Sequence, residues 1–132
     1  MITEFSVISK NKNEMIDITE ELNSEIHKSK ASEGFCIIYT PHTTAAITIN
    51  ENADPDVCAD IIKGLKNISP DDKSYRHTEG NSDAHIKSSL AGVSETVIIE
   101  NGKLKLGLWQ GVYFCEFDGP RNRQVWVKII QG

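Results

Sequence analysis

The segment GLWQGVYFCEFDGPRNRQVWVKII, from Gly107 to Ile130, is rich in residues that favour β-strands. It predicts two long strands, Leu108 to Phe117 and Gln124 to Ile130. Between them, Asp118-Gly119-Pro120 has the composition of a turn. We therefore expect these two strands to be central to the fold.

Side chains in the first of these strands alternate between the two faces of a sheet: Tyr113, Cys115 and Phe117 on one, and Val112, Phe114 and Glu116 on the other. A carboxylate in apolar company is either buried beside a cation or metal, or exposed on the wetter face of the sheet. The sequence leaves both alternatives open for Glu116. Trp109 and Trp126 are expected to anchor the core.

Further strands are predicted on both sides of this segment. The alternating residues of 2–18, interrupted by a polar turn at 10–13, predict an N-terminal hairpin. Two apolar runs predict strands at Phe35 to Tyr39 and Ala45 to Asn50. Asn101-Gly102 predicts a tight type I′ hairpin between 96–100 and 103–106.

Three segments have the spacing and end signals of short helices. The first is expected to use Thr19 as its N-cap, the second begins at Asp54-Pro55, and the third has Ser82 or Asp83 as its N-cap. Their expected apolar stripes are, in chain order, Leu22 and Ile26; Val57, Ile61 and Leu65; Ile86 and Leu90.

Composition limits the class of protein. A chain of 132 residues fits one domain, here 1–132, and its 39% hydrophobic and 25% charged residues are typical of a soluble globular protein. The N-terminus lacks the features of a signal peptide, which predicts a cytoplasmic location and no membrane partner. The formal charge of −5 argues against nucleic acid as a partner. The three widely spaced cysteines suit buried reduced thiols, and no catalytic role is assigned to them.

The stretch YRHTEGNSDAHIKSSLA, from Tyr75 to Ala91, contains an unusual density of side chains that bind metals or transfer protons: His77, Glu79, Asn81, Asp83 and His85. In the first turn of a helix, His85 would be favoured as neutral imidazole, the form that binds a metal. The alternative is an ordinary solvated loop before a helix.

A second candidate site lies at TPHTTAAITIN, where His42 stands among threonines such as Thr43 at the break between two predicted strands. Hydroxyl groups there could orient the imidazole, whereas the alternative is a threonine-rich turn with a solvent-facing histidine. The arginines Arg76, Arg121 and Arg123 fall in just two segments, which indicates a local anion site on an acidic protein.

Four blocks of this sequence, PHTTAAITINENADPDV, HTEGNSDAHIKSSLAG, NGKLKLGLWQG and EFDGPRNR, resemble the YjbQ-type family of small bacterial and archaeal proteins. The resemblance covers nearly the whole chain. It implies a compact α+β domain with a β-sandwich of mainly antiparallel strands and a few short helices. It also implies a homotrimer, with a polar site near the subunit interfaces.

The resemblance further implies a site that holds a divalent metal, often zinc, on the histidines that match His42, His77 and His85. Three neutral imidazoles with one open position make a catalytic type of metal site. Many relatives carry consecutive aspartates where this chain has Glu79-Gly80-Asn81, so an acidic ligand at that place does not carry over.

Further roles are expected around this site. Glu116 would act as a catalytic acid or base, or would support the metal ligands. Contacts to the substrate or its phosphate are expected from Arg121, Arg76, Arg123, Asn81 and Thr43.

Three functions follow for this site. Family members are described as having a secondary thiamin-phosphate synthase activity, in which a pyrimidine pyrophosphate is joined to a thiazole phosphate. A metal-dependent phosphate-ester hydrolase would use the same groups to activate water. The third hypothesis is a module that binds a small ligand or metal without turnover.

Overall fold

A computed structural model of the chain describes residues 2–132. In chain order these residues form β1 (Ile2–Ile8), β2 (Glu14–Asp17), α1 (Thr19–Ser29), β3 (Gly34–Tyr39), β4 (Ala45–Glu51), α2 (Pro55–Ile68), α3 (Ser82–Ala91), β5 (Ser94–Glu100), β6 (Lys103–Leu104), β7 (Gln110–Glu116) and β8 (Asn122–Gln131).

The strands form two antiparallel sheets. One has five strands in the order β1-β8-β3-β5-β6, and the other has three in the order β2-β7-β4. With three helices added, this is a single α+β domain of the sandwich type. The predicted fold class is confirmed.

The main core lies between the two sheets. Val112 and Phe114 reach it from β7, and Leu22 and Ile26 reach it from α1. A smaller core on the opposite face of the three-stranded sheet contains Ala46, Ala84, Tyr113, Cys115 and Phe117. The two-faced alternation predicted for β7 is therefore correct, and Ala84 of α3 packs against the outer face of this sheet.

The predicted N-terminal hairpin is wrong, because its two strands belong to different sheets. β1 pairs with β8, with Phe5 opposite Val125, whereas β2 pairs with β7, with Ile16 opposite Phe114. The polar turn at 10–13 carries the chain from one sheet to the other. Alternation predicts a strand and its buried face, but it does not identify the partner strand.

The predicted starts of two helices need small corrections. The N-cap of α1 is Ile18, and Thr19 is the first helical residue, held by Asp17 Oδ1, which accepts a hydrogen bond from its amide at 2.9 Å. The N-cap of α3 is Asn81. The prediction for α2 is confirmed, because Asp54 caps the helix through the Asp56 amide and Pro55 follows as its first residue.

The predicted buried face of α3 is wrong. Leu90 is 57% exposed, and the helix instead buries Asp83, Ala84, Lys87 and Ser88. Hydrogen bonds make this polar burial possible, since Ser88 Oγ donates to the Ala45 carbonyl at 2.6 Å and Lys87 Nζ donates to Asn13 Oδ1 at 3.1 Å.

The expectation that both tryptophans anchor the core is also wrong. Trp109 is 60% exposed, and Trp126 lies on the outer face of the five-stranded sheet. There its ring stacks on Tyr39 with centroids 5.8 Å apart, and its Nε1 donates to Glu4 Oε2 at 2.7 Å. A tryptophan with a polar partner on a strand can face outward, and its bulk alone does not select the core.

All three cysteines are free, with Cys36 and Cys115 buried and Cys58 partly buried. Burial raises the pKa of the Cys36 thiol to about 11. Within residues 2–132, no helix has the length and apolar character required to cross a membrane.

Candidate functional site

Two adjacent cavities lie where the loop after β3 meets the first turns of α3 and the turn after β7. The first, here named the polar cavity, has a volume of about 300 Å³ and is lined by His42, Thr43, Asn81, His85 and Arg121 among others. The second, here named the hydroxyl cavity, has a volume of about 460 Å³, and its lining includes Tyr39, Thr40, Ser88, Ser89 and Val93. Pro41, His42, Thr43 and His85 line both cavities.

The loop that carries His42 is fixed at both ends by strands. Pro41 has no amide hydrogen to continue the ladder of β3, and the chain leaves the sheet there before β4 begins at Ala45. The Thr40 amide donates to the Val93 carbonyl at 2.9 Å, and its hydroxyl donates to the Gln124 carbonyl at 3.1 Å. The loop is therefore held from two directions, although it has no regular structure.

The orientation of the His42 ring is set by a backbone amide. The Gln124 N–H donates to His42 Nε2 at 2.9 Å. Because an amide can only donate, Nε2 must carry a lone pair, and neutral His42 must carry its hydrogen on Nδ1. Burial, followed by the positive charge of Arg123, lowers the pKa of His42 below its usual range. At neutral pH the residue therefore offers a ligand an Nδ1–H donor.

Arg123 is a buried structural cation rather than a free anion binder. Its guanidinium pairs with the Glu116 carboxylate, with Nε 2.9 Å from Oε1 and a second contact from Nη2 to Oε2. Nη2 also donates to Thr44 Oγ1 at 2.8 Å. Arg123 reaches the wall of the polar cavity with most of its N–H groups already bonded. This ion pair resolves the two alternatives for Glu116, which is buried beside a cation.

Glu116 is fully buried, and it holds Arg123 in place at the wall of the polar cavity. Ser9 Oγ donates to its Oε1 at 2.6 Å, and the Asp118 amide donates to Oε2 at 3.0 Å. Burial alone would raise the pKa of this carboxyl, but the hydrogen bonds from Arg123, Ser9 and Asp118 outweigh burial and lower the pKa below its usual range. Glu116 is thus an ionised positioning group for Arg123.

Arg121 is the arginine that remains accessible in the polar cavity. Its side chain is 48% exposed, and it is oriented by Asp118 through Nη2 to Oδ2 at 2.8 Å and Nε to the carbonyl at 2.9 Å. The remaining guanidinium N–H groups have no partner among residues 2–132, so they can bind a ligand anion. Arg76, in contrast, lies in an exposed segment and lines neither cavity.

Asn81 occupies the N-cap position of α3 on the wall of the polar cavity. Its Nδ2 donates to Asp118 Oδ2 at 2.8 Å and to Glu79 Oε2 at 3.1 Å. Its buried Oδ1 has no hydrogen-bond partner in residues 2–132, and no side chain caps the first turn of the helix. The start of α3, where the helix dipole favours negative charge, therefore faces the site.

The three histidines do not form a metal centre in this conformation. His77 and His85 are neighbours, with ring centroids 5.4 Å apart and an angle of 85° between the rings. His42 has already committed Nε2 to the Gln124 amide. In residues 2–132, no group of three or more His, Cys, Asp or Glu side chains is placed to hold a metal ion. A three-histidine centre does not fit this arrangement, and the divalent metal stays a prediction.

The structure thus brings six of the predicted site residues to the polar cavity: His42, Thr43, Asn81, His85, Arg121 and Arg123. His77 packs on His85 beside it, Glu116 lies behind Arg123, and Arg76 is separate. Two hydrogen-bonding partners of these site residues, Asp118 and the Gln124 amide, were not predicted. Asp118 was assigned only to a turn, although its spacing of three residues from Arg121 was a usable signal. The Gln124 contact comes from the backbone and leaves no mark in the sequence.

A sandwich of two antiparallel sheets, with a polar cavity whose lining includes imidazole and guanidinium groups, defines a small α+β protein with a candidate ligand site. The chain belongs to the YjbQ-like family, since the family model described as "UPF0047 protein YjbQ-like" matches residues 3–132. The resemblance drawn from its four sequence blocks is confirmed.

Relatives match along almost the entire chain. The UPF0047 protein MJ1081 of Methanocaldococcus jannaschii is 53% identical over 130 residues, which cover 98% of this chain and 94% of the relative. The UPF0047 protein YugU of Bacillus subtilis is 48% identical over 131 residues, which cover 98% of this chain and 99% of the relative. These names state the family without an activity.

Solved structures show the same fold. An uncharacterised conserved protein of the YjbQ/UPF0047 family from Clostridium acetobutylicum has a TM-score of 0.94 and 55% identity, covering 97% of this chain and 99% of that one. A hypothetical protein from Aeropyrum pernix also has a TM-score of 0.94, with 28% identity, and the match covers 100% of this chain and 99% of that one. The fold is thus maintained at about half the sequence identity.

Proposed function

We propose that the polar cavity binds a small phosphorylated molecule and that the chain acts as a secondary thiamin-phosphate synthase. In this reaction a pyrimidinylmethyl group passes from its pyrophosphate to the nitrogen of a thiazole phosphate. The observation that supports the proposal most strongly is the meeting of Arg121, the His42 Nδ1–H and the start of α3 at one cavity. All three favour a bound anion.

Binding of the phosphate relies on groups that are already oriented. Asp118 holds Arg121 by two hydrogen bonds, so the guanidinium loses little further freedom when a ligand binds. The Gln124 amide likewise fixes the ring of His42. A preorganised set of donors is the arrangement that stabilises developing negative charge most effectively.

The transfer step requires mainly stabilisation of a leaving anion. The bond between the pyrimidine methylene carbon and the pyrophosphate oxygen breaks, and its electron pair leaves with pyrophosphate. The lone pair of the thiazole nitrogen then forms the new bond to that carbon, so no proton has to be removed. Arg121 and His42 would stabilise the departing charge, and the walls of the cavity would align the two reactants.

Hydrolysis of a phosphate ester is the competing function, and the geometry favours it less. Activation of water requires a general base. His42 is unsuited to this role because its lone pair is bonded to the Gln124 amide. Glu116 is buried and fully paired. Among the predicted catalytic residues that line the cavity, only His85 has neither a lone pair bonded to a backbone amide nor a buried ion pair. It is therefore the one candidate for the general base.

The test is a product assay with purified protein, pyrimidine pyrophosphate and thiazole phosphate. The proposal expects thiamin phosphate from the wild type, a loss of at least tenfold in Arg121→Ala, and an unchanged rate in Arg76→Ala, because Arg76 lies outside the cavity. Release of pyrophosphate or phosphate at the same rate without thiazole would identify a hydrolase. Absence of any turnover, with ligand binding intact, would identify a binding module.

A further inference from the structure

We propose that the segment between β1 and β2, residues 9–13 and here named the crossover segment, fixes the arrangement of two walls of the polar cavity, and that Lys12 is a positioning residue for the anion bound there. This inference rests on the proposed function, which places a phosphate group at Arg121. One wall is the start of α3, which carries His85, and the other is the turn after β7, which carries Arg121.

The crossover segment packs closely on the turn wall. The Gly119 amide donates to the Lys12 carbonyl at 3.1 Å. The Arg121 amide donates to Ser9 Oγ at 2.9 Å, and the Ser9 amide donates to the Arg121 carbonyl at 3.0 Å. A side chain at position 119 would collide with the Asn11 carbonyl, so this close approach of two backbones requires glycine. The segment and the turn are therefore held in one fixed arrangement.

The crossover segment reaches the helix wall through two side chains. Lys12 Nζ donates to Asp83 Oδ2 at 3.1 Å. Lys87 Nζ donates to Asn13 Oδ1, also at 3.1 Å, and lies 3.8 Å from the same Asp83 oxygen. Asp83 is 2% exposed and Lys87 is 1% exposed, whereas the Lys12 side chain is 47% exposed. The helix wall is thus held to the segment by a charge cluster with one accessible member.

Asp83 depends on these two lysines. Its Oδ1 is buried and has no hydrogen-bond partner in residues 2–132, and both lysines approach Oδ2. Without Lys12, the carboxylate would keep the more distant Lys87. A buried charge that loses its close partner is strongly destabilising. We therefore expect the first turn of α3 to shift toward solvent when the Lys12 charge is removed.

Such a shift would reach the anion site through a shared carboxylate. Asn81 is the N-cap of the helix, two residues before Asp83, and its Nδ2 donates to Asp118 Oδ2 at 2.8 Å. The same Oδ2 accepts the hydrogen bond from Arg121 Nη2 at 2.8 Å. Displacement of Asn81 changes the bonding of Asp118, and with it the orientation of the Arg121 guanidinium. Lys12 acts on the ligand through this path without touching it.

Calorimetric titration with inorganic pyrophosphate tests the role of Lys12. Lys12→Met is expected to weaken binding about threefold to tenfold more than Lys10→Met does. Lys10 is an exposed lysine of the same segment, so its variant removes the same charge and controls for the general attraction of the anion. Lys12→Arg keeps the charge and the N–H donors, and it should restore the affinity.

A spectroscopic signature separates positioning from a general loss of structure. The imidazole NMR signals of His85, in the first turns of α3, should shift in Lys12→Met. Those of His42 should not, because the Gln124 amide holds that ring from another part of the chain. Urea denaturation identifies the conditions in which each variant is folded. Lys12→Gln keeps an N–H donor without the charge, and it provides the same comparison should Lys12→Met fail to fold.

The outcomes separate this inference from the proposed function. Equal affinities of Lys12→Met and Lys10→Met would overturn the positioning role and leave the anion site standing. Failure of Lys12→Arg to restore binding would overturn the ion pair with Asp83 as its basis. A joint shift of the His85 and His42 signals would show a general loosening and would also overturn it. Absence of pyrophosphate binding by the wild type would overturn the anion site itself and, with it, the inference that rests on it.

Discussion

The Nε2 atom of His42 lies 2.9 Å from the backbone nitrogen of Gln124 and accepts its hydrogen. This contact joins the loop after β3 to the start of β8, two segments separated by 82 positions in the chain. It fixes the ring orientation and the tautomer of a residue that lines both cavities. A histidine held in this way acts as a hydrogen-bond donor through Nδ1.

We predict that His42 is neutral at pH 7 with its hydrogen on Nδ1. Burial lowers its pKa, so the neutral form persists to a more acidic pH than for an unperturbed histidine. Nitrogen-15 NMR of the imidazole groups distinguishes the two tautomers directly. The exposed His27 serves as an internal reference signal for a solvated imidazole. A hydrogen on Nε2 at neutral pH would show that the bond to Gln124 does not exist in solution.

The metal prediction takes a narrower form once Nε2 of His42 is assigned to the backbone. We predict that any divalent metal bound by purified, untagged protein depends on His77 and His85, whose rings are neighbours. Metal analysis should show loss in His85→Ala and His77→Ala and retention in His42→Ala. Equal loss in all three variants would support the three-histidine centre and would require the His42 loop to rearrange.

The buried pair of Glu116 and Arg123 is predicted to be a major determinant of stability. Glu116→Gln should lower the free energy of unfolding by about 3–5 kcal/mol, because it leaves the buried guanidinium uncompensated. Urea denaturation measures this loss. Glu100→Gln, which breaks the exposed pair with Lys105, is the matched control and should change stability little. Equal effects in the two variants would contradict the role given to Glu116.

The same pair predicts how stability depends on pH. Since the pKa of Glu116 is lower in the folded chain than in the unfolded chain, its contribution is complete above the pKa of an unfolded carboxyl. The contribution then decreases as the pH falls from there through the folded pKa. The difference in unfolding free energy between the wild type and Glu116→Gln should therefore shrink below about pH 4. A difference that stays constant down to pH 3 would contradict the assignment.

The homotrimer implied by the family resemblance has a candidate surface in this chain. The outer face of the five-stranded sheet exposes Ile2, Phe35, Ile98 and Trp126, an apolar patch typical of an interface. We predict that Ile98→Lys shifts the protein toward monomer in analytical ultracentrifugation. Lys73→Glu, in an exposed loop, is the control and should not change the mass of the assembly. A monomeric wild type at micromolar concentration would remove this prediction.

Much of the fold was predictable because local patterns encode local structure. Asn101-Gly102 correctly predicted the hairpin between β5 and β6, in which both residues have positive φ. Asp54-Pro55 correctly predicted the start of α2. Pairing between distant strands was not encoded in this way, so β1 and β2 were wrongly joined. The buried polar face of α3 was missed because it depends on partners such as Ala45 and Asn13, which are distant in sequence.

The grouping of residues at the candidate site was predictable to the extent that they are charged or aromatic side chains. His42, His85 and Arg121 were found from residue type and local composition, and they line one cavity. Residue type could not distinguish the accessible Arg121 from the buried Arg123, because burial depends on the position of Glu116 across the turn. Nor could it show the direction in which Ser88 donates its hydrogen.

The proposal that the polar cavity binds a phosphorylated ligand is tested most directly by calorimetry with (4-aminopyrimidin-5-yl)methyl phosphate on wild type, Arg121→Ala and Arg76→Ala. Loss of a charge-assisted hydrogen bond should weaken binding by about tenfold to a hundredfold in Arg121→Ala. Arg76→Ala should bind like the wild type, since Arg76 lines neither cavity. Equal affinities in all three proteins would contradict the account.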